Sequence, residues 1–198
     1  MNKEISTPLA SWATQTSVSP WMRTSGIVLA GSALLAACSH VALPLWFTPV
    51  PLTLQPFAVL LLGLLLAPRV AAATLGAYLV EGALGLPVFT PGFAFAGGLA
   101  HLTGLTGGYL LSYPLAAMLT SFAWRRTGRG FSTALVSAAM GNSVILICGA
   151  LWLAAFTHVS LGTAAGLAIF PFLPGDALKV VAAASLVTGF NRLRRRNA

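Results

Sequence analysis

Asp176 and Lys179 are the residues best placed to do chemistry. The 198-residue chain carries only three acidic side chains, Glu4, Glu81 and Asp176. Asp176 and Lys179 stand three apart, so on a helix they share a face. They follow Pro174-Gly175, which reads as a helix start, and they open an apolar run that continues to about Phe190. An acid and a base at one end of an apolar helix are expensive to place in lipid, so the pair is expected to face a pocket. Two readings of it stand. As an intrahelical ion pair it lowers the cost of insertion. As a ligand handle, Lys179 gives a positive charge and Asp176 accepts from N–H donors. A small molecule with a carboxylate and an amide-like head suits the second reading.

Few other residues carry chemistry. Glu81 has no basic neighbour in sequence, so it stays neutral, reaches the surface or lines the pocket. The run Thr103-Gly104-Leu105-Thr106-Gly107-Gly108-Tyr109 permits close backbone approach and exposes N–H groups, either to a ligand or simply as a flexible entry into a helix. Asn142, with Ser137 and Ser143, falls within an apolar run; it bonds between helices or sits at the floor of the pocket. Trp46, Phe57, Phe89, Phe93, Phe95 and Tyr109 are interface anchors or walls for an apolar ligand. His40, His101 and His158 have no ligand spacing among them, and no metal site is expected. Cys38 and Cys148 suggest neither a disulfide framework nor a thiol metal motif. No catalytic constellation is present: there is no His-Glu-x-x-His, no Gly-x-Ser-x-Gly and no Gly-Lys-Ser/Thr phosphate loop. The chain is read as a non-enzyme without cofactor, unable to use ATP by itself.

The elements that must position these residues follow from composition. The chain is 57% hydrophobic and 7% charged, against roughly a quarter charged in soluble domains. The expected fold class is an all-α integral membrane protein, a compact bundle of six transmembrane helices with cytoplasmic N- and C-termini. Residues 1–22 form a polar cytoplasmic tail, and 23–198 form one domain. The spans are expected at about 25–44, 53–67, 70–84, 108–124, 132–156 and 175–190. Apolar, Gly- and Pro-containing connections fill 85–107 and 157–173. With this topology Lys3, Arg23, Arg69, Arg125, Arg126, Arg129 and the arginines at 192 and 194–196 all fall inside, and the outer segments hold no Lys or Arg. Membrane orientation therefore accounts for the net charge of +8, and no nucleic acid is implied. Asp176 and Lys179 fall in the outer half of the membrane, where the outer connections converge.

In the first span, Gly26, Ala30, Ala33 and Ala37 form one stripe of small residues that lets another helix approach. It faces a partner or the bundle itself, and packing alone favours the bundle. Leu35-Ala36-Ala37-Cys38 has the look of a lipoprotein cleavage box, but the long tail before it and the apolar run after it argue against processing. Leu43-Pro44-Leu45-Trp46-Phe47-Thr48-Pro49 echoes Leu86-Pro87-Val88-Phe89-Thr90-Pro91, as matched lid segments or as a shared way of ending a span.

Four ordered motifs carry a family resemblance. Val50-Pro51-Leu52-Thr53-Leu54-Gln55-Pro56-Phe57, Gly82-Ala83-Leu84-Gly85-Leu86-Pro87-Val88-Phe89, Thr106-Gly107-Gly108-Tyr109 and Pro174-Gly175-Asp176-x-x-Lys179 resemble segments of the BioY biotin transporters, over roughly residues 27–190. Leu105 and Ser112-Tyr113 depart from the pattern, as does the connection 90–105. The resemblance implies a substrate-binding S component of an energy-coupling-factor transporter in the cytoplasmic membrane, holding biotin near the outer face. It implies binding roles for Asp176 and Lys179; Glu81, Phe89, Thr106, Gly107, Gly108, Tyr109 and Asn142 stand beside them as candidates from the reading of the residues. It also implies contact of Ala30, Ala33 and Ala37 with a transmembrane coupling subunit, which two cytoplasmic ATPase subunits would energise. A carrier of another small nutrient or of a metal ion is the alternative.

Overall fold

The computed structural model describes residues 19–91 and 98–196. Most of the expected tail and the aromatics Phe93 and Phe95 lie outside the described residues.

Helices dominate: α1 (Pro20–Ser39), α2 (Gln55–Leu65), α3 (Pro68–Ala83), α4 (Leu99–Leu102), α5 (Gly107–Arg126), α6 (Phe131–Thr157), α7 (Leu161–Ala168) and α8 (Leu173–Arg196). Proline in the first turn starts α1, α2 and α3, where its fixed φ suits the helix and its missing N–H costs nothing. Among the described residues, three helices, α1, α6 and α8, are long and apolar enough to cross a membrane, and α2 is a shorter apolar helix. Large apolar side chains such as Leu29, Val136, Ile147, Leu151, Leu178 and Leu186 point outward along the long helices, as expected where the solvent is lipid.

The boundaries correct several expectations. The first helix starts at Pro20 and ends at Ser39, so it begins inside the expected tail and stops short of Pro44. The chain beyond it instead forms a small ribbon, β1 (Ala42–Leu43) antiparallel to β2 (Leu52–Thr53), with Ala42 opposite Thr53 and Leu43 opposite Leu52. The connection 157–173 contains the two-turn helix α7, capped by Ser160, whose side chain accepts from the Thr163 N–H at 3.2 Å. Eight residues are too few for a spanning pattern, which is why hydropathy reads them as loop. The connection 85–107 holds the single turn α4.

Helix α5 is the hub: it packs against α2, α3 and α6, while α8 lies against α2 and α6 and α1 against α3 and α2. The larger apolar cluster includes Leu35, Val59, Leu75, Tyr78, Tyr113, Ile145 and Leu153. A smaller one joins Leu60, Leu64 and Trp124 to Ala134, Ala183 and Val187 of the basic end. Small residues let α5 and α6 meet closely. A side chain at Gly107 would strike the Leu102 carbonyl, and one at Gly108 would strike Trp152 and come within 2.7 Å of the Cys148 carbonyl oxygen.

Candidate functional site

The first turn of α8 is largely exposed at Leu173, Pro174 and Ala177, but it buries the chain's rarest residue type, Asp176. Asp176 is 3% exposed, and its Oδ1 accepts from Lys179 Nζ at 2.8 Å. Its carboxylate also sits in the first turn of α8, where the helix dipole favours negative charge. Asn142 of α6 donates from Nδ2 to Asp176 Oδ2 at 3.2 Å. The carboxylate is thus held from two sides by α6 and by its own helix.

This pair forms one wall of a cavity enclosing about 620 Å³ of space, its mouth included. Tyr109, Leu110 and Tyr113 of α5, with Thr106 at its N-cap, form another wall, and Ile145 and Leu146 of α6 a third. The fourth comes from Val50, Pro51, Thr53 and Gln55, where the ribbon runs into α2, with Thr90, His101 and Phe172 completing the ring. The arrangement is mainly apolar with a few convergent polar groups, the usual make-up of a small-molecule site.

Gln55 anchors the polar side of the cavity. It is 3% exposed, and its Nε2 donates to Tyr78 Oη at 2.7 Å, while Tyr78 in turn donates to the Val88 carbonyl at 2.9 Å. Its Oε1 lies 3.3 Å from Thr53 Oγ1, 3.4 Å from Thr90 Oγ1 and 3.5 Å from Tyr113 Oη. Four elements therefore converge on one amide, which fixes its orientation. Two further bonds tie the end of α7 to the elements around the cavity: Tyr109 Oη donates to the Ala168 carbonyl, and Thr48 Oγ1 to the Leu167 carbonyl, both at 2.7 Å.

A family model, described as the BioY family, matches residues 9–196. The chain belongs to the BioY family. Among BioY relatives, a probable biotin transporter BioY of Pyrococcus horikoshii is 42% identical over 135 residues, 68% of this chain and 76% of the relative. The biotin transporter BioY2 of Lactococcus lactis is 33% identical over 155 residues, 78% of this chain and 82% of the relative. The crystal structure of an S component for biotin from an ECF-type ABC transporter superposes with a TM-score of 0.78 at 27% identity, covering 88% of this chain and 92% of that one. The BioY chain is therefore a multi-pass membrane protein of a transporter family and not an enzyme.

Of the residues singled out by sequence, Asp176, Lys179, Thr106 and Tyr109 line the cavity, as does His101, which the sequence offered only as a metal ligand. Glu81, Phe89, Gly107, Gly108 and Asn142 do not, and the packing gives the reasons. Glu81 turns away from the cavity and accepts a hydrogen bond from Ser32 of α1. Phe89 is buried behind the wall, edge-on to Tyr78 at 5.3 Å and stacked on His101 at 5.0 Å. Gly107 and Gly108 are consumed by the approach of α5 to α4 and α6. Asn142 acts one layer back, on Asp176, and its Oδ1 has no hydrogen-bond partner among the described residues. No group of three or more metal-ligating side chains occurs among the described residues.

Sequence reasoning missed Gln55, Tyr113, Thr53 and Thr90 as lining residues. A signal for Tyr113 existed: it lies four residues after Tyr109, on the same helical face. Gln55 is the one long polar side chain in an otherwise apolar α2, which is itself a mark of a pocket.

His101 gives the site a dependence on acid. Burial pushes its imidazole pKa below the ordinary histidine value. The unfolded chain then binds a proton near pH 6.5, while the folded chain does so only at lower pH. Stability is fully present above about pH 6.5 and is lost as pH falls below it. Thermal unfolding of the detergent-solubilised protein between pH 8 and pH 5 should show this loss, and the His101→Gln variant should show a shallower one.

Proposed function

We propose that this protein binds biotin in the cavity around Asp176 and Lys179, as the substrate-binding subunit of an energy-coupling-factor transporter. The observation that carries the reading is a buried carboxylate–ammonium pair opening onto a cavity with aromatic and aliphatic walls. Biotin has a ureido ring with two N–H donors, an apolar bicycle and chain, and a terminal carboxylate. Asp176 accepts from the ureido N–H groups, since an ionised carboxylate would repel the ligand's own. Tyr109, Tyr113 and Phe172 enclose the apolar body. Biotin as the ligand is supported by the Lactococcus lactis relative, a biotin transporter, and by the similar crystal structure, an S component for biotin.

In this reading α1, α2, α3, α5, α6 and α8 are the six spans, with both termini on the cytoplasmic side of the cytoplasmic membrane. Gly26, Ala30, Ala33 and Ala37 are all exposed on α1, while Gly31, Ser32, Leu35, Cys38 and Ser39 face the bundle. The small-residue stripe thus does not pack inside the bundle, correcting the expectation from packing alone. It offers a flat surface to the coupling subunit, which would connect the chain to two ATPase subunits. The Ala33→Leu variant should keep its biotin affinity and lose biotin uptake by about tenfold or more, because the added bulk blocks close helix approach.

Uptake of labelled biotin by cells lacking their own biotin transport tests the proposal. Cells expressing this chain with coupling and ATPase subunits should accumulate biotin, and unlabelled biotin should compete where thiamine does not. Accumulation indifferent to biotin but abolished by a chelator would establish the metal alternative and overturn the reading.

A further inference from the structure

A second cleft lies between the start of α6 and the last turns of α8, about 24 Å along α8 from Asp176 at 1.5 Å per residue. It encloses about 860 Å³ of space, its wide mouth included, and three of its lining residues are Arg129, Arg192 and Arg195. Arg192 and Arg195 share one face of α8 by their spacing. Arg129 adopts the left-handed conformation with φ 52°, uncommon for a residue with a side chain, at the entry to α6. The first turn of α6 has no side-chain cap, so its free N–H groups and the helix dipole add positive potential at the same place.

No carboxylate among the described residues answers this charge. Asp176 is paired with Lys179, and Glu81 accepts from Ser32. The neighbouring surface is apolar, with Phe131, Leu186, Phe190 and Leu193 all about half exposed. We propose that this cleft binds the phosphate-bearing headgroup of an anionic phospholipid. The guanidinium groups grip the phosphate oxygens in pairs, and the acyl chains lie along the exposed apolar side chains of α8. Free inorganic phosphate shares the headgroup chemistry but gains nothing from that apolar border.

The test is thermal unfolding of the purified full chain in neutral detergent. The additions are short-chain phosphatidylglycerol, phosphatidylcholine of the same chain length, and inorganic phosphate. Phosphatidylglycerol alone should raise the unfolding temperature. The double variant Arg129→Gln/Arg192→Gln should need about 25-fold more of it, from about fivefold per arginine near an anionic lipid. Arg194→Gln/Arg196→Gln, with the same loss of charge outside the cleft, should respond as wild type. Arg129→Lys/Arg192→Lys, which keeps the charge, should fall between, so a folding defect in the glutamine variant would leave the question answerable. Retained biotin binding checks that each variant is folded. Equal stabilisation by phosphatidylcholine, or by inorganic phosphate, would overturn the proposal. So would equal weakening in the Arg194/Arg196 variant, which would make the effect one of diffuse charge, or cross-linking of position 192 to a protein in native membranes with no lipid effect in the purified chain.

Discussion

Asp176→Asn is expected to weaken biotin binding by about 30-fold to several thousand-fold. Truncating one partner of a buried, hydrogen-bonded charge pair at a binding site costs about 2–5 kcal/mol. The change keeps the shape of the side chain but replaces one acceptor oxygen with a donor and removes the charge that Lys179 Nζ meets at 2.8 Å. Lys179→Ala should lose affinity to a similar extent by a different route. It leaves Asp176, 3% exposed, without its cation, so this variant should also lose stability by about 3–5 kcal/mol. The two variants therefore separate recognition from folding. Titration calorimetry alongside thermal unfolding checks both. Unchanged affinity in Asp176→Asn would remove the carboxylate from the site.

Gly108→Ala is expected to give a large loss of stability from a single added methyl group. The added carbon would collide with Trp152 and lie 2.7 Å from the Cys148 carbonyl oxygen, and a backbone atom cannot rotate out of the way. Forcing α5 from α6 should cost about 1–3 kcal/mol or more, lowering the unfolding temperature by about 3–10 °C at this size. Gly76→Ala is the matched control, since nothing lies within 4 Å of its added carbon. It should leave stability unchanged or slightly raised. Biotin affinity of the folded fraction of Gly108→Ala should also fall, because Tyr109 is the next residue and lines the cavity.

Much of this architecture is legible in the sequence because lipid permits few alternatives. Long apolar runs must be helices, so α2, α3, α5 and α6 lie within about two residues of their expected bounds, while α1 is displaced by five residues and α8 runs six beyond its expected end. Asp176 and Lys179 stand out because charge in such a helix is costly enough to require a reason. The ribbon at 42–43 and 52–53 was hidden, because two residues per strand carry no periodicity. Gln55 was hidden in a different way. Its importance comes from Tyr78, Thr90 and Tyr113 meeting it across the fold, from separations that no local pattern links. Gly107 and Gly108 show the opposite error. Their type suggested backbone approach to a ligand, and the approach is real, but it is made by α4 and α6. Glu81 was a natural candidate as one of three acids, yet Ser32 on α1 satisfies it outside the cavity.

Whether this chain is a biotin-binding protein is decided by calorimetric titration of biotin into the purified, detergent-solubilised protein, with thiamine and riboflavin as controls. The expected result is saturable binding of biotin alone, at one site per chain, strongly weakened in Asp176→Asn. Absence of biotin binding by protein shown to be folded, or equal binding of all three vitamins, would contradict it.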